Sequence, residues 1–453
     1  MSKPHLLQLC SWYPNRIHPT NGNFVEKHVR LLADLYQLTV LQVEYDPGLA
    51  PGKSEWTQET YTYGTGSYQV WTVYFGSIFG KSIRLLRRLQ YFNQAFKIIE
   101  RERGQIALVH VHVAMPAVFL ASYWNIRWGI PFLLTCHSSG FLSINPSAFP
   151  WLQRRLLTWA ANRAQQILPV STALASAWQK DGLSSSITII PNVVGPAFQL
   201  PAVAIKTSTF RLLHISNFAR EAKNVDGLLC AVRRLATSGF PLHLTIAGDG
   251  DVAHVKALAA RVELSQEHFT LLGLQSEAEV AQLMQTHNCF VLFSNFETQG
   301  VTLLEAQCTG LPVVATEVGG VPEIIDHPGK GILVEPGNKE QLIQAIRQAK
   351  DQSWNHAWIA QQAQARYSET AIRRALLTII KKAMKMGAQG YISKATGLHV
   401  IDQAIRSVHS GEKYMGNAIT EVIMADFQKE KKAKPLSAPI PTLTKREKEV
   451  LDL

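Results

Sequence analysis

Short apolar runs alternate with longer amphipathic stretches along most of the chain. Nine runs are rich in β-branched or aliphatic residues and have little polar alternation: LTVLQV, ALVHVHV, PFLLTCH, QILPVS, ITIIPN, RLLHIS, LHLTIAG, NCFVLFS and LPVVAT. Continuous apolar runs of this kind are typical of parallel strands that helices cover on both faces. The pattern therefore predicts an α/β fold in which strands and helices alternate.

This alternation occupies two stretches, residues 1–200 and 208–365, which the proline-containing segment GPAFQLPAVAIKTST separates. We interpret them as two doubly wound, Rossmann-like domains joined by a linker. A chain of 453 residues, 46% of them hydrophobic, is long enough for two or three domains with substantial cores. Because ligands in such sheets bind at the carboxyl ends of the strands, the predicted site is a cleft between the two domains.

Charge, cysteine content and hydropathy limit the partners, the compartment and the membrane topology that this protein could have. The formal net charge of +11 indicates anionic partners, such as nucleic acid, a lipid surface or phosphorylated substrates, without choosing among them. Five scattered cysteines with no CxxC pair argue against a disulfide framework and a structural zinc site, and favour a reducing, cytoplasmic compartment. The most apolar window, IALVHVHVAMPAVFLA, is too short for a membrane span and contains two histidines and a proline.

The strongest candidate site is the segment NFETQGVTLLEAQCT, which follows the apolar run CFVLFS. Glu297 and Glu305 lie eight residues apart in it, and Gly300 stands where a helix would begin. Free N–H groups around Gly300, Val301 and Thr302 would form an anion site, with a carboxylate on either side for sugar hydroxyls. For two glutamates taken alone, a solvated loop residue and a surface helix residue are the commoner explanation.

ETQGVTLLEA resembles the Glu-x7-Glu motif of the GT-B-fold, family 4 retaining glycosyltransferases. Further segments resemble parts of that family in the same order: SWYPNRIHPTNGNFVEKHV its acceptor loop and first helix, ILPVST and ITIIPNVV the end of its first domain, LHLTIAGDG its nucleotide-domain strand, and VGGVPEII the loop and helix after the next strand. Several motifs in order are far more specific than one. The resemblance covers residues 1–380 and implies a GT-B fold, sugar transfer with retention, and a closing helix at 366–383.

The resemblance also implies roles for individual residues. Glu305 would bind the nucleotide ribose, and Glu297 would lie by the donor sugar. Arg220 and Lys223, in HISNFAREAKNVDGLL, would hold the donor diphosphate. Preorganised cations suit that position because the leaving diphosphate gains negative charge as the glycosidic bond breaks.

Histidines and a glycine add further candidates. His137, in TCHSSG, resembles the family's cleft histidine near the transferred sugar. Gly22 and Asn23, in TNGNF, would form the acceptor and phosphate loop, because glycine leaves room for the backbone to approach a ligand. His110 and His112 share one strand face, as a metal pair would, but no third ligand is near in sequence. We therefore predict no metal and no cofactor, the nucleotide sugar being a substrate.

Two basic stretches, residues 81–103 and WLQRRLLTWAANR at 151–163, suggest a membrane contact. Either could lie on an anionic bilayer, and either could equally be the outer face of a domain helix. The expected partners are thus a nucleotide-diphosphate-sugar, a growing glycan or lipid-linked acceptor, and an anionic membrane surface on the inner face. Polysaccharide assembly follows by analogy only.

The C-terminal segment, residues 384–453, resembles a different family. GAQGYISK followed by HVIDQAIRSVHSGEKYMG resembles the end of a response-regulator receiver domain, with Lys394 at its conserved lysine, and LTKREKEVLDL resembles the opening of a LuxR-type helix-turn-helix. The phosphoacceptor aspartate and the recognition helix have no counterpart, so we interpret the segment as a non-functional fusion fragment and expect no nucleic-acid partner. Two alternatives stay open: a sugar-nucleotide epimerase of GT-B fold, and a regulatory DNA-binding protein that acts through this segment.

Overall fold

The computed structural model describes residues 3–77, 80–145, 148–199 and 208–387, together with 390–391 and 414–415. The chain divides into two compact units, residues 1–384 and 385–453. The first unit contains two α/β domains, each built on its own sheet.

The first domain is a seven-stranded sheet covered by helices. Its strands are β1 (His5–Cys10), β2 (Gln37–Tyr45), β3 (Ser54–Tyr63), β4 (Gly66–Phe75), β5 (Ile106–His112), β6 (Phe132–Cys136) and β7 (Gln166–Pro169). Its helices are α1 (Asn23–Arg30), α2 (Lys81–Arg103), α3 (Ala117–Trp128), α4 (Trp151–Ala161) and α5 (Thr172–Lys180). The strand order is β3-β4-β2-β1-β5-β6-β7, in which only β3 runs antiparallel to its neighbour.

The second domain is a six-stranded parallel sheet. Its strands are β8 (Phe210–Ile215), β9 (Leu242–Ala247), β10 (Phe269–Leu271), β11 (Cys289–Leu292), β12 (Val313–Thr316) and β13 (Gly331–Val334). The helices are α6 (Arg220–Lys223), α7 (Val225–Thr237), α8 (Val252–Arg261), α9 (Glu277–Gln285), α10 (Val301–Cys308), α11 (Val321–Ile324), α12 (Lys339–Asp351), α13 (His356–Tyr367) and α14 (Glu369–Gly387). The order β10-β9-β8-β11-β12-β13 reverses between β8 and β11, as in a Rossmann fold.

The predicted fold class is confirmed, since both sheets are doubly wound and almost wholly parallel. The prediction of a strand at ITIIPN is wrong. This segment is extended and its Thr188 and Ile190 amides donate to β7, but it makes only an isolated bridge, Ile167 to Ile187. It lies along the open edge of the sheet and Pro191, which has no N–H to donate, follows it directly.

The last helix of the first unit packs on the first domain, although it follows the second in sequence. Ile372, Leu376 and Ile380 of α14 share a buried cluster with Val25 and Val29 of α1. Burial of this face attaches the end of the second domain to the first.

Only a small part of the second unit lies within the described residues. Its two short strands, β14 (Gly390–Tyr391) and β15 (Tyr414–Met415), pair in parallel. Apart from these strands and residues 384–387 at the end of α14, the predicted response-regulator-like fragment, Lys394 included, lies outside the described residues. Part of the predicted linker, 200–207, also lies outside them. None of the helices in the described ranges is long and apolar enough to cross a membrane.

Candidate active site

Two loops of the second domain meet where its strand order reverses. The loop after β8 leads to Lys223, and the loop after β11 carries Glu297. Such a reversal leaves a crevice at the carboxyl ends of the two strands. Lys223 Nζ donates to Glu297 Oε1 at 2.5 Å, and Ser294 Oγ donates to the same oxygen at 2.9 Å. The carboxylate is therefore held from two sides at the crevice.

Lys223 and Glu297 line a cleft of about 660 Å³ to which both domains contribute. The lining residues are Trp12, Phe24, His137, Ser139 and Asn145 from the first domain and Asn217, Ala219, Arg220, Glu221, Ala222, Lys223, Phe296, Glu297 and Thr298 from the second. Four predicted site residues are thus brought together: His137, Arg220, Lys223 and Glu297. The other predicted site residues lie outside this lining: Gly22, Asn23, Gly300, Val301, Thr302 and Glu305.

The two predicted diphosphate ligands differ in their surroundings. The Lys223 side chain is only 18% exposed and is fixed by Glu297. The Arg220 side chain is 67% exposed, and its guanidinium lies 3.7 Å from the carboxylate of Asp251. Lys223 is therefore the preorganised cation of the cleft, whereas the Arg220 side chain is mostly solvated and is not fixed by a close partner.

His137 follows β6 and is buried at the first-domain wall of the cleft. Its ring centroid lies 4.7 Å from that of Phe24 and 5.6 Å from that of His28. Burial holds the pKa of His137 well below its usual value, and the neighbouring His28 acts in the same direction. The imidazole is therefore neutral near pH 7 and can both donate and accept a hydrogen bond to a sugar hydroxyl.

Gly22 and Asn23 stand at the start of α1, beside the cleft. Gly22 has a φ of +78°, and a Cβ at this position would lie 2.7 Å from the carbonyl carbon of Trp12, which lines the cleft. Only glycine fits a left-handed backbone in such close contact. The glycine thus lets the loop after β1 turn directly into α1.

Gly300 precedes the first residue of α10 and has a φ of +85°. No side chain caps this helix among the described residues. The first-turn amides at Val301 and Thr302 therefore have no capping side chain to accept their hydrogen bonds.

Glu305 is buried on α10 and contacts the other domain. Its Oε1 accepts a hydrogen bond from Lys27 Nζ of α1 at 3.1 Å, and Glu277 Oε1 of α9 lies 3.3 Å from the same ammonium. Burial raises the pKa of Glu305, although Lys27 acts in the opposite direction. Burial by itself lowers the pKa of Lys27, but the two carboxylates outweigh it and that pKa is raised. Lys27 is not among the predicted site residues, because no local sequence pattern distinguishes it from a surface lysine.

We expect Lys27→Met to lower the free energy of unfolding by about 3 kcal/mol at pH 7, because Glu305 and Glu277 would face each other without a cation. Urea unfolding measures the loss. It should shrink as the pH falls, since the pKa of Glu305 is already raised and protonation removes the repulsion. Lys27→Arg keeps the charge and should restore most of the stability. If the urea midpoint of Lys27→Met equals that of the wild type, the contact of Lys27 with Glu305 and Glu277 does not stabilise the packing of the two domains.

A second contact joins the domains through two of the segments that carry the family resemblance. Glu323, in VGGVPEII, accepts hydrogen bonds from the amides of Thr172 and Ala173 at 2.9 and 3.0 Å. These amides belong to the first turn of α5, directly after ILPVS. A carboxylate there satisfies unpaired donors and faces the positive end of the helix dipole. Glu323 thus caps a helix of the opposite domain.

Gly319, in the same loop, packs against the backbone of the Glu297 loop. Its φ is +51°, and a Cβ there would lie 1.7 Å from the carbonyl oxygen of Glu297. The absence of a side chain at Gly319 therefore lets the two loops contact each other, and this contact fixes the position of the Glu297 backbone.

We expect Gly319→Ala to lower kcat/KM by about a hundredfold, the effect of displacing a reacting group by roughly 1 Å. Gly337→Ala is the matched control, because Gly337 also has a positive φ, +76°, but has nothing within 4 Å of the added Cβ. Steady-state kinetics on both variants separates backbone strain from displacement of Glu297. An equal effect in both variants would refute the displacement.

Four buried histidines form a cluster behind the cleft. The ring centroids of His110 and His112 are 4.1 Å apart, and His112 lies 6.2 Å from His28 and 6.1 Å from His137. Nε2 of His110 lies 2.7 Å from Thr135 Oγ1. Within the described ranges, no group of three or more His, Cys, Asp or Glu side chains is arranged to hold a metal ion. The contact with Thr135 instead joins His110 to the neighbouring strand β6 by a hydrogen bond.

Burial depresses the basicity of the whole cluster. It lowers the pKa of His28 to about 4 and that of His110 to about 3. It also lowers the pKa of His112 well below the usual value, with His110 acting in the same direction. All four imidazoles are therefore uncharged in the folded protein near pH 7.

Two family models match successive parts of the chain. Residues 22–198 match the one described as Glycosyltransferase Family 4, and residues 209–352 match the one described as Glycosyl transferases group 1. These ranges correspond to the first and the second α/β domain.

Two curated relatives match parts of this chain at 34% and 26% identity. N-acetyl-alpha-D-glucosaminyl L-malate synthase of Bacillus anthracis is 34% identical over 143 residues, which are 31% of this chain and 36% of that protein. Phosphatidyl-myo-inositol mannosyltransferase of Mycobacterium leprae is 26% identical over 331 residues, 71% of this chain and 82% of that protein. The matched region thus spans about a third of the first relative and most of the second.

Solved structures share the fold over most of the chain. Sucrose-phosphate synthase of Thermosynechococcus elongatus superposes with a TM-score of 0.67 at 17% identity, over 84% of this chain and 100% of that one. HepE of Anabaena, in complex with UDP and glucose, superposes with a TM-score of 0.62 at 17% identity, over the same shares. With two Rossmann-like domains that match these structures and the two glycosyltransferase family models in order, the chain has the GT-B glycosyltransferase fold.

Proposed function

We propose that this protein transfers a sugar from a nucleoside-diphosphate donor to a hydroxyl group of an acceptor, with retention of the anomeric configuration. The observation that carries the proposal is the contact between Lys223 and Glu297 at the reversal of the second sheet, in a cleft that His137 lines from the first domain. A cation, a carboxylate and a neutral imidazole are the groups needed to hold a diphosphate and a sugar.

The donor would bind along the second-domain wall. Lys223 and Arg220 would bind the diphosphate, together with the uncapped amides at the start of α10. Glu305 would accept a ribose hydroxyl on the carboxylate oxygen that Lys27 does not engage. The complex of HepE with UDP and glucose supports a donor of the UDP-sugar class. In this proposal Lys223 and Arg220 supply the positive charge that a metal ion would otherwise provide.

The reaction would proceed on one face of the sugar. The acceptor oxygen attacks the anomeric carbon as the bond from that carbon to the diphosphate oxygen breaks, and the departing phosphate oxygen takes the acceptor's proton. Lys223 stabilises the charge that develops on the diphosphate. Glu297 and His137 hold the sugar hydroxyls in place, and water is excluded when the domains close.

The acceptor would be a growing glycan or a lipid-linked sugar, in the cytoplasm or at its membrane surface. The M. leprae relative, a phosphatidyl-myo-inositol mannosyltransferase by name, supports the lipid-linked class.

Incubation of the full chain with a panel of nucleotide sugars, with and without acceptors, tests the proposal. We expect release of nucleoside diphosphate in equal amount to a glycoside product that keeps the donor's anomeric configuration, read by NMR. An epimer of the donor formed without acceptor would establish the epimerase instead. Deletion of residues 388–453 should leave transfer intact, whereas loss of all function would favour the DNA-binding alternative.

A further inference from the structure

The first domain has an exposed apolar face built from α3, α4 and the segment between them. Eight of the 14 exposed large apolar side chains in the described ranges lie there: Tyr123, Ile126, Trp128, Ile144, Trp151, Leu152, Leu156 and Trp159. We name these eight side chains the α3–α4 face. Three of them are tryptophans, the residue type that prefers the boundary between water and lipid. Since α3 and α4 pack against each other, exposed apolar side chains on both helices indicate an interaction surface.

The charged side chains of α3, α4 and the segment between them are all arginines. From Arg103 to Lys180 the sequence contains no aspartate or glutamate, yet it includes Arg127, Arg154, Arg155 and Arg163. The Arg163 guanidinium lies 3.9 Å above the ring of Trp159, and that of Arg155 lies 5.9 Å from the ring of Trp151. Arg154 is neutralised by Asp181 at 2.6 Å. The aromatic rings are therefore interleaved with positive charge.

We propose that the α3–α4 face docks this protein on the surface of an anionic phospholipid bilayer. A helix that lies in the plane of the interface buries tryptophan and leucine at the boundary between headgroups and acyl chains, while flanking arginines bind lipid phosphates. A second copy of this chain fits the face poorly, because two such faces would bring arginines against arginines. The inference stands on the surface alone and does not depend on the proposed sugar transfer.

The other basic stretch of the sequence is a weaker candidate. α2 exposes Ile83 and Leu86, but Phe92, Phe96 and Ile99 on the same helix are buried in the core. α2 therefore behaves mainly as a domain helix, and the membrane contact is assigned to the α3–α4 face.

The face connects directly with the cleft. Ile144 is exposed beside α4, where it lines a second cavity of about 230 Å³ with Arg154 and Lys180. Ser139 and Asn145, in the same short segment, line the main cleft. Docking through this face would therefore hold the first-domain wall of the cleft at the bilayer.

Flotation of the full chain with vesicles of phosphatidylcholine, alone or mixed with phosphatidylglycerol, tests the proposal. We expect binding to the anionic vesicles only, at least tenfold weaker for the double variant Trp151→Ser, Trp159→Ser. Arg155→Gln should weaken binding about fivefold. Leu152→Ser, at a site 61% exposed, should weaken binding, whereas Leu274→Ser, at a site 62% exposed in the second domain, should not. Lys256→Gln, on α8, is the matched control for loss of charge.

Three results would overturn the proposal: no binding by the wild type, equal binding to neutral and anionic vesicles, or equal losses in the control variants. Dimers of the wild type that the tryptophan variant abolishes would assign the face to a second copy instead. Circular dichroism shows whether each variant is folded. Transfer to a water-soluble acceptor should be unchanged by the tryptophan substitutions, so failure of membrane docking and failure of sugar transfer are read separately.

Discussion

Lys223→Met lowers kcat by about a hundredfold to a thousandfold, the usual cost of removing one preorganised group that stabilises charge in a transition state. Lys223 is the cation at the reversal of the second sheet. Its side chain is only 18% exposed, and its ammonium lies 2.5 Å from Glu297. Methionine keeps the length of the side chain and removes its charge. The departing diphosphate then loses its main cation. Steady-state kinetics with a saturating nucleotide sugar measures the effect.

Two variants sharpen this test. Lys223→Arg keeps the charge and should recover part of kcat, although its fork cannot reproduce the single contact with Glu297. Arg220→Gln should cost less than Lys223→Met, because the Arg220 side chain is 67% exposed. The reverse order, with Arg220 dominant, would show that the diphosphate lies nearer the start of α6 than we propose.

Acid should destabilise the folded protein steeply, starting near pH 6.5. Below that pH, histidines take up protons in the unfolded chain, at their usual pKa of about 6.5. In the folded chain, burial holds the pKa of His28 at about 4 and that of His110 at about 3, and holds those of His112 and His137 well below the usual value. The unfolded state therefore binds more protons, and the free energy of unfolding falls as the pH falls, down to about pH 4 for His28.

The expected slope is large. Each histidine that protonates only on unfolding contributes about 1.4 kcal/mol per pH unit, so the four together contribute about 5.5 kcal/mol per unit. His214 and His287 of the second domain, whose pKa values burial also lowers to about 4, add to it in the same direction. Urea unfolding at a series of pH values between 7.5 and 5, at about half-unit steps, measures the slope.

Substitution of one histidine tests whether the four buried histidines cause this pH dependence of the free energy of unfolding. His28→Leu removes one of the four imidazoles and should reduce the slope by about 1.4 kcal/mol per pH unit. His18→Gln, which removes an exposed histidine of the same domain, is the control. An unchanged slope in His28→Leu would mean that His28 is protonated in the folded protein, contrary to its burial.

The buried strands are predictable from sequence because strands covered on both faces consist of continuous apolar residues. Runs such as LHLTIAG and NCFVLFS are covered on both faces and read as continuous apolar segments. A search for continuous apolar runs does not find the β3–β4 hairpin, because its outer strand SEWTQETYTY is largely exposed and alternates in polarity. ITIIPN is equally apolar but lies along a sheet edge, where only tertiary packing decides whether a ladder forms.

The candidate site is predictable where its residues follow strand ends. His137 and Glu297 lie in loops that follow parallel strands, and Lys223 ends the short helix α6 after β8, so the topology brings all three to one cleft. Lys27 and Glu323 were missed because their partners are distant in sequence: Lys27 contacts Glu305, 278 residues away, and Glu323 contacts Thr172, 151 residues away. Such pairs depend on how the two domains meet, which no local pattern encodes.

Thermal unfolding with UDP, GDP, ADP and CMP and their sugars, on the wild type and Glu305→Gln, tests the central claim of a donor site most directly. A nucleotide at about 100 times its dissociation constant stabilises the folded state by about 2.7 kcal/mol, which is a measurable shift. We predict that one nucleoside diphosphate raises the wild-type midpoint and that Glu305→Gln abolishes the shift. A folded wild type that responds to none of these nucleotides would contradict the donor site.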